Sequence, residues 1–303
     1  MPQQAACTGV TVAPLMRFRG CATRVTSYPL VEGVALVWVP RIEIDESVER
    51  ILGTGPVGKL RRVHWALQHT YAADLEEAMG SRELASRELL NLILLALWIT
   101  RPTGASIRDF IHYRDTPDGT RLAGMQHIDR PLVPGARYVA AELAADDLVV
   151  IPGIARAVLA LSKQDGAGPV VKRALYYLDG SLMAALWHTR FVMLTTVLES
   201  LFTTGTQEIG HKMAERVAWF LADDPQKRRS IFDGMKRIYQ VRSQITHGAE
   251  LDRKVQGEYS KELMHELEMR VQAVLRKVLQ DETLLAAFCS KEREDYLTGL
   301  LFR

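Results

Sequence analysis

The sequence predicts an α+β protein: a mixed, partly β N-terminal region over residues 1–150, followed by an all-α helical bundle over residues 151–303. Three observations lead there. Residues 34–39 are rich in β-branched and aromatic residues, and lie between Gly33 and Pro40, as a strand does. Beyond Asp146-Asp147 the apolar residues recur almost only at helical spacing. The 303 residues are 48% hydrophobic and 24% charged, enough apolar material to bury the core of one large or two ordinary domains.

Taken in order, Val34 to Val39 is the first clear strand. Arg41-Ile42-Glu43-Ile44-Asp45 alternates with period two and predicts a second. Gly53, Gly55 and Pro56 then predict a turn. Residues 59–78 place Leu60, Val63, Leu67 and Tyr71 near helical spacing and predict a helix that ends at Gly80. Ser81, as N-cap with Glu83 in the first turn, opens the next helix, which stops before Pro102. Its apolar run is nearly all-round, which suits a buried helix or, in its last half, a buried strand. Strands and loops follow, with turns at Thr116-Pro117-Asp118-Gly119 and Pro134-Gly135 and short apolar runs at 107–113 and 138–141.

In the second region, Pro152 and Gly153 open a short helix through Ile154, Val158 and Leu161. Residues 165–169 form a break. Helical pattern runs from Val170 to Phe202, kinked near Gly180. After a turn at 203–206, a helix buries Ile209, Met213, Val217 and Phe220. Pro225 starts the next. A long helix over residues 258–288 carries Leu263, Leu267, Val271, Val274 and Val278 as its stripe. The region therefore reads as a bundle.

Composition narrows the function. A formal net charge of +2 requires any nucleic-acid contact to come from a local basic patch. Cys7, Cys21 and Cys289 fit neither a disulfide framework nor a zinc site, and suit a reducing compartment. Residues 1–20 lack the pattern of a secretory signal. The longest apolar run, residues 89–99 interrupted by Asn91, is too short for a bilayer. A soluble cytoplasmic protein without a membrane partner is expected. No His-Glu-x-x-His helix, cysteine pair or complete phosphate-binding loop occurs, so neither metal nor cofactor is expected. Gly53-Thr54-Gly55-Pro56-Val57-Gly58-Lys59 has the wrong spacing and no final Ser/Thr for such a loop.

The residues that carry chemistry lie in one stretch, Tyr239 to Glu250. Ile231, Met235, Ile238, Arg242 and Ile245 share one helical face. An arginine on that stripe needs a partner. Glu199 or Glu208 can supply it, or the position is an anion site that forks onto a phosphate. His247 lies five residues on, about 140° around an ideal helix from Arg242. The two converge if the helix ends at Gly248, or if two chains meet here across a two-fold axis. A histidine in the last turn is suited to move a proton near neutral pH.

Tyr239-x-x-Arg242-Ser243-x-Ile245-x-His247-Gly248 resembles the Arg-x4-6-His signature of HEPN domains, in particular the ApeA-like HEPN group. Arg190-Phe191 leading to Leu198-Glu199-Ser200-Leu201-Phe202, then Glu208-Ile209 through Arg216 and Leu221, agrees in style. The resemblance covers about residues 155–285. It implies a helical bundle that pairs as a homodimer and cuts RNA without a metal, in bacterial stress or phage defence, with an antitoxin or regulatory partner. The RNA 2′-hydroxyl would attack the adjacent phosphodiester, His247 would be general acid or base, and Arg242 would hold the phosphate. Ser243 stands where many relatives have Asn, Asp or His. Tyr239, Lys236, Arg237 and Glu199 are supporting or RNA-contacting candidates. Some HEPN domains only dimerise or bind, so a non-catalytic module binding a nucleotide or partner is the alternative.

The plainer readings stand beside these. Arg242 can be a structural ion pair and His247 a helix cap. Lys227, Arg228, Arg229, Lys236 and Arg237 form a solvated charged face or an RNA backbone track. Tyr239 packs or stacks. His211 with Glu215, and His265 with Glu266, are surface residues. Met193 and Met213 are core packing.

Overall fold

The structure, a computed structural model, describes residues 7–21, 26–44, 46, 49–50, 53–73, 80–116, 120–128, 141–164, 169–205, 207–248 and 258–302. Two compact units emerge, the described residues through Arg156 forming one and those from Ala157 the other. The chain is α+β, an antiparallel sheet followed by helices.

In the first unit, strands β1 (Cys7–Pro14), β3 (Ser27–Val31), β4 (Val34–Trp38), β5 (Trp65–Ala73), β6 (Asp109–Asp115) and β7 (Arg121–His127) form a six-stranded sheet in the order β3-β4-β5-β1-β6-β7. Every pairing within it is antiparallel. Strands β2 (Phe18–Cys21) and β8 (Ala141–Leu143) form a separate parallel pair. Helix α1 (Thr54–Leu60) stands where a turn was expected.

Of the helix expected over residues 59–78, residues 59–60 end α1 and residues 65–73 form strand β5. Its Leu67 faces Leu36 of β4, and its Gln68 faces Val12 of β1. Ladder partners on both edges override a spacing that also suits a helix, because strand preference is set by neighbours as much as by the segment itself. The second strand, expected from Arg41, does not form over residues 41–44. The alternation survives only as burial: Ile42 packs with Ile111 and Tyr113, and Tyr113 donates its hydroxyl to the Glu43 carbonyl.

Helix α2 (Ser81–Thr100) runs as expected and stops before Pro102, with Gly80 rather than Ser81 as N-cap. The Glu83 carboxylate accepts from the Gly80 N–H at 2.7 Å. It also binds Arg114 of β6 in an ion pair with both side chains 2% exposed. Tyr71 of β5 donates to the same carboxylate at 3.3 Å, and His69 is hydrogen-bonded to Ser86 at 2.8 Å. A polar seam therefore fastens α2 to the sheet.

Helix α3 (Ala145–Ser162) begins well before Pro152, which lies inside it. Its start is set by Asp147, whose carboxylate accepts from the Ala144 N–H at 3.0 Å, as acids do at helix N-termini. The split between the units falls within α3.

In the second unit the kink expected near Gly180 is a full break. Helix α4 (Val170–Met183) ends, and α5 (Trp187–Phe202) starts anew. The buried Arg190 guanidinium donates to the Ser181 carbonyl at the end of α4 and to Glu268, and so secures the junction. Helices α6 (Ile209–Leu221) and α7 (Pro225–Thr246) follow. Helix α8 (Glu258–Gln280) buries the expected stripe of Leu263, Leu267, Val271, Val274 and Val278. It does not continue to Phe288. Asp281 accepts from the N–H groups of Thr283 and Leu284 and caps a new helix, α9 (Glu282–Cys289). Helix α10 (Arg293–Gly299) and a 3-10 turn over Leu300–Phe302 end the described part of the unit. Phe202, Phe220 and Phe288 form its aromatic centre, with ring centroids 5.4–5.7 Å apart.

The expected features at Asp45, 74–78, 117–119, 134–135, 138–140, 165–168, Thr206 and 249–250 lie outside the described residues. No described helix is long and apolar enough to cross a membrane.

Candidate active site at the end of helix α7

Helix α7 starts where the sequence placed it. Pro225 is its first residue, and the Asp224 carboxylate accepts from the Lys227 N–H at 2.8 Å. Ile231, Met235, Ile238 and Val241 are buried on its inner face. That face carries Arg242 to the edge of the core, where its side chain is 24% exposed. Of its two candidate partners, Glu199 on α5 takes the arginine. Arg242 Nη2 donates to Glu199 Oε2 at 3.2 Å. Arg242 Nε lies 3.2 Å from Oε1, yet both atoms are buried without a hydrogen bond. The pair is held by charge with only one of its two forks closed. Glu208 is instead the N-cap of α6, with a left-handed backbone at φ 53°.

Burial pushes the Glu199 carboxyl above the usual carboxylate range, against the pull of Arg242 in the other direction. Arg242 also reaches Thr246 Oγ1 at 3.4 Å, and its guanidinium carbon lies 5.8 Å from the Tyr239 ring centre.

The helix ends just before Gly248. His247 is the C-cap, with φ −91° and ψ 4°, and its N–H donates to the Ser243 carbonyl at 3.0 Å. Gly248 follows with φ +66°, the left-handed conformation that glycine adopts without strain. His247 is exposed. No hydrogen bond or ion pair joins it to Arg242 among the described residues.

Arg242, Glu199 and Tyr239 thus form one cluster, with Ser243 next in sequence to Arg242 and His247 on the following turn. Lys236 is exposed, and its ammonium lies 5.7 Å from the Phe232 ring centre. Arg237 does not join the cluster. Its guanidinium is 3.6 Å from Glu266 on α8. The sequence reading missed Thr246, a local partner of Arg242. It also missed Gly210 on α6, against which Tyr239 lies so closely that a Cβ there would overlap the ring. The i,i+4 relation of Arg242 and Thr246 was a usable signal for the first. Nothing local marks the second.

No group of three or more His, Cys, Asp or Glu side chains among the described residues is arranged to hold a metal ion. The arrangement offers an anchored arginine with one unclosed fork, and an exposed imidazole one turn later at the negative end of a helix. No family model matches the chain, and neither does any curated protein or solved structure.

Proposed function

We propose that the chain is a metal-independent endoribonuclease of the ApeA-like HEPN kind, acting as a homodimer, with Arg242 and His247 as its reacting side chains. The observation that carries this reading is the end of α7. The helix stops at His247, with Gly248 in the left-handed conformation, so the imidazole stands in solvent one turn beyond Arg242.

The chemistry needs few parts. The RNA 2′-oxygen attacks the adjacent phosphorus and loses its proton. The bond from phosphorus to the 5′-oxygen breaks, and that oxygen gains a proton. The products are a 2′,3′-cyclic phosphate and a 5′-hydroxyl. His247 moves one of these protons. A single histidine is base or acid at one moment, so a second His247 from a paired chain suits the other role. Arg242 neutralises the charge that develops on the phosphoryl oxygens. Its Nη1, which reaches Thr246 Oγ1 at 3.4 Å on the exposed last turn, is the donor left for that purpose. A role in bacterial stress or phage defence follows from the sequence resemblance alone.

Incubation of a mixed RNA pool with the wild type and with His247→Ala, EDTA present throughout, tests the reading. Cleavage by the wild type alone is the expected result. Equal cleavage by both proteins, or none by either, sinks it.

The Arg242–Glu199 ion pair itself favours a second reading, a non-catalytic module that dimerises or binds a partner. On that reading Arg242→Ala weakens self-association, while His247→Ala changes neither association nor RNA.

A further inference from the structure

Along the flank of α7 that borders α6, cations and aromatic rings alternate at Arg228, Phe232, Lys236 and Tyr239, and Arg242 follows at the edge of the buried face. The steps of four, four, three and three place them on one face. The face spans about 21 Å at the helical rise. It borders a groove between α6 and α7. The first part of the groove is a cavity of about 280 Å³ lined by His211, Glu215, Trp219, Arg228 and Phe232. The second, of about 460 Å³, is lined by Glu208, Gly210, His211, Lys236 and Tyr239. His211 is common to both, so the two are contiguous. Tyr239 belongs to the second cavity and also lies beneath Arg242.

The groove is built rather than incidental. The Arg228 guanidinium carbon lies 3.4 Å from the Trp219 ring centre. Its N–H groups donate to the carbonyls of Ala222 and Asp223 just beyond α6, which fixes one wall. The His211 ring meets Phe232 edge-on at 5.5 Å between centroids. Gly210 lets the Tyr239 ring lie directly on α6. Phe232 and Tyr239 are partly buried, and Lys236 is exposed.

We propose that this groove is the binding track for a single-stranded RNA, which seats unpaired bases on Phe232 and Tyr239 and delivers the following phosphate to Arg242. The assignment of RNA rests on the nuclease reading; the assignment of a single strand rests on the groove. Rings beside cations offer stacking to bases and charge to the backbone. A duplex keeps its base faces inside the helix and presents phosphates and sugars, so the rings would have no partner. Lys236 is the backbone cation of the track. Arg229 is also present, but Asp233 holds it at 3.0 Å. Glu208 and Glu215 exclude phosphate from their own positions, and accept instead from exocyclic amines or 2′-hydroxyls. The strand therefore runs along the α7 side.

The test is fluorescence anisotropy with the His247→Ala protein. The probe is an unstructured labelled RNA of about 12 nucleotides, a length within the usual range of single-strand sites. The same strand annealed to its complement is the comparator. The single strand is expected to bind more tightly than the duplex. Phe232→Ala is expected to weaken single-strand binding about tenfold. Lys236→Glu, at an exposed position where folding is not at stake, is expected to weaken it similarly and to reduce its salt dependence. The proposal is overturned if the duplex binds as tightly as the single strand, if both variants bind like their parent, or if no binding occurs. A protein that binds as expected but does not cleave in its wild-type form refutes the nuclease reading and leaves the track standing.

Discussion

Glu199 on α5 and Arg242 on α7 are 43 residues apart in sequence and meet at 3.2 Å, yet only one hydrogen bond joins them. Their side chains are 14% and 24% exposed, so each is largely desolvated and depends on the other. Truncating either leaves a poorly hydrated charge. Glu199→Ala and Arg242→Ala are each expected to lower stability by about 1–3 kcal/mol. The double variant should cost less than the sum of the two, because the second change removes the orphaned charge. Urea unfolding of the four proteins measures this coupling; strict additivity would mean that the pair contributes nothing.

Gly248 carries the left-handed turn that ends α7 at φ +66°. Gly248→Ala is expected to cost about 1 kcal/mol, whereas asparagine, which tolerates that region better, should cost less. Because the turn also sets where His247 projects, the proposed nuclease reading expects the alanine variant to cleave RNA more slowly than the asparagine one. Thermal unfolding and cleavage rates of the two variants, compared side by side, decide it.

Gly210 is constrained by contact instead, since a Cβ would overlap the Tyr239 ring. Gly210→Ala should displace that ring at a cost of about 1–3 kcal/mol. Combining it with Tyr239→Ala removes the obstacle, so the alanine should then be nearly neutral or stabilising. Differential scanning calorimetry of the single and double variants reads this difference.

In the second unit, Arg190 and Glu268 form an ion pair with side chains 2% and 3% exposed. Removing one partner from such a site typically costs about 3–5 kcal/mol, while replacing both with apolar residues of similar volume is often neutral. Arg190→Ala is therefore expected to be severely destabilised, and Arg190→Met with Glu268→Leu to recover most of the loss. Chemical denaturation of both proteins checks the order.

In the first unit, burial pushes the His112 imidazole down to about 4 from an ordinary value near 6.5; Glu83 opposes the shift, and Arg87 and Arg114 add to it. Its Nδ1 is hydrogen-bonded to Thr11 Oγ1 at 2.9 Å. The folded chain binds this proton less readily than the unfolded chain. The stabilisation is thus present above about pH 6.5 and lost as pH falls toward 4, amounting at most to about 3 kcal/mol. His112→Gln should show a correspondingly smaller fall in unfolding free energy between about pH 7 and about pH 4.5. An unchanged pH dependence would exclude His112 as its source.

Local sequence determined those features whose causes are local. The stripe of α8 is a periodicity. The start of α7 at Pro225 is a cap. Its end at His247 follows from a glycine free to turn left-handed. The spacing of Arg242 and His247, and with it the candidate chemistry, belongs to the same class. Tertiary structure decided whatever depends on a distant partner. Residues 65–73 form a strand because β4 and β1 bind both of its edges. Arg242 meets Glu199 of α5, while Glu208 is taken up as the N-cap of α6. The groove of Trp219, Phe232 and Tyr239 exists because α6 and α7 pack closely at Gly210. Such choices are settled by which surfaces meet in space, and a linear pattern of residue types does not record that.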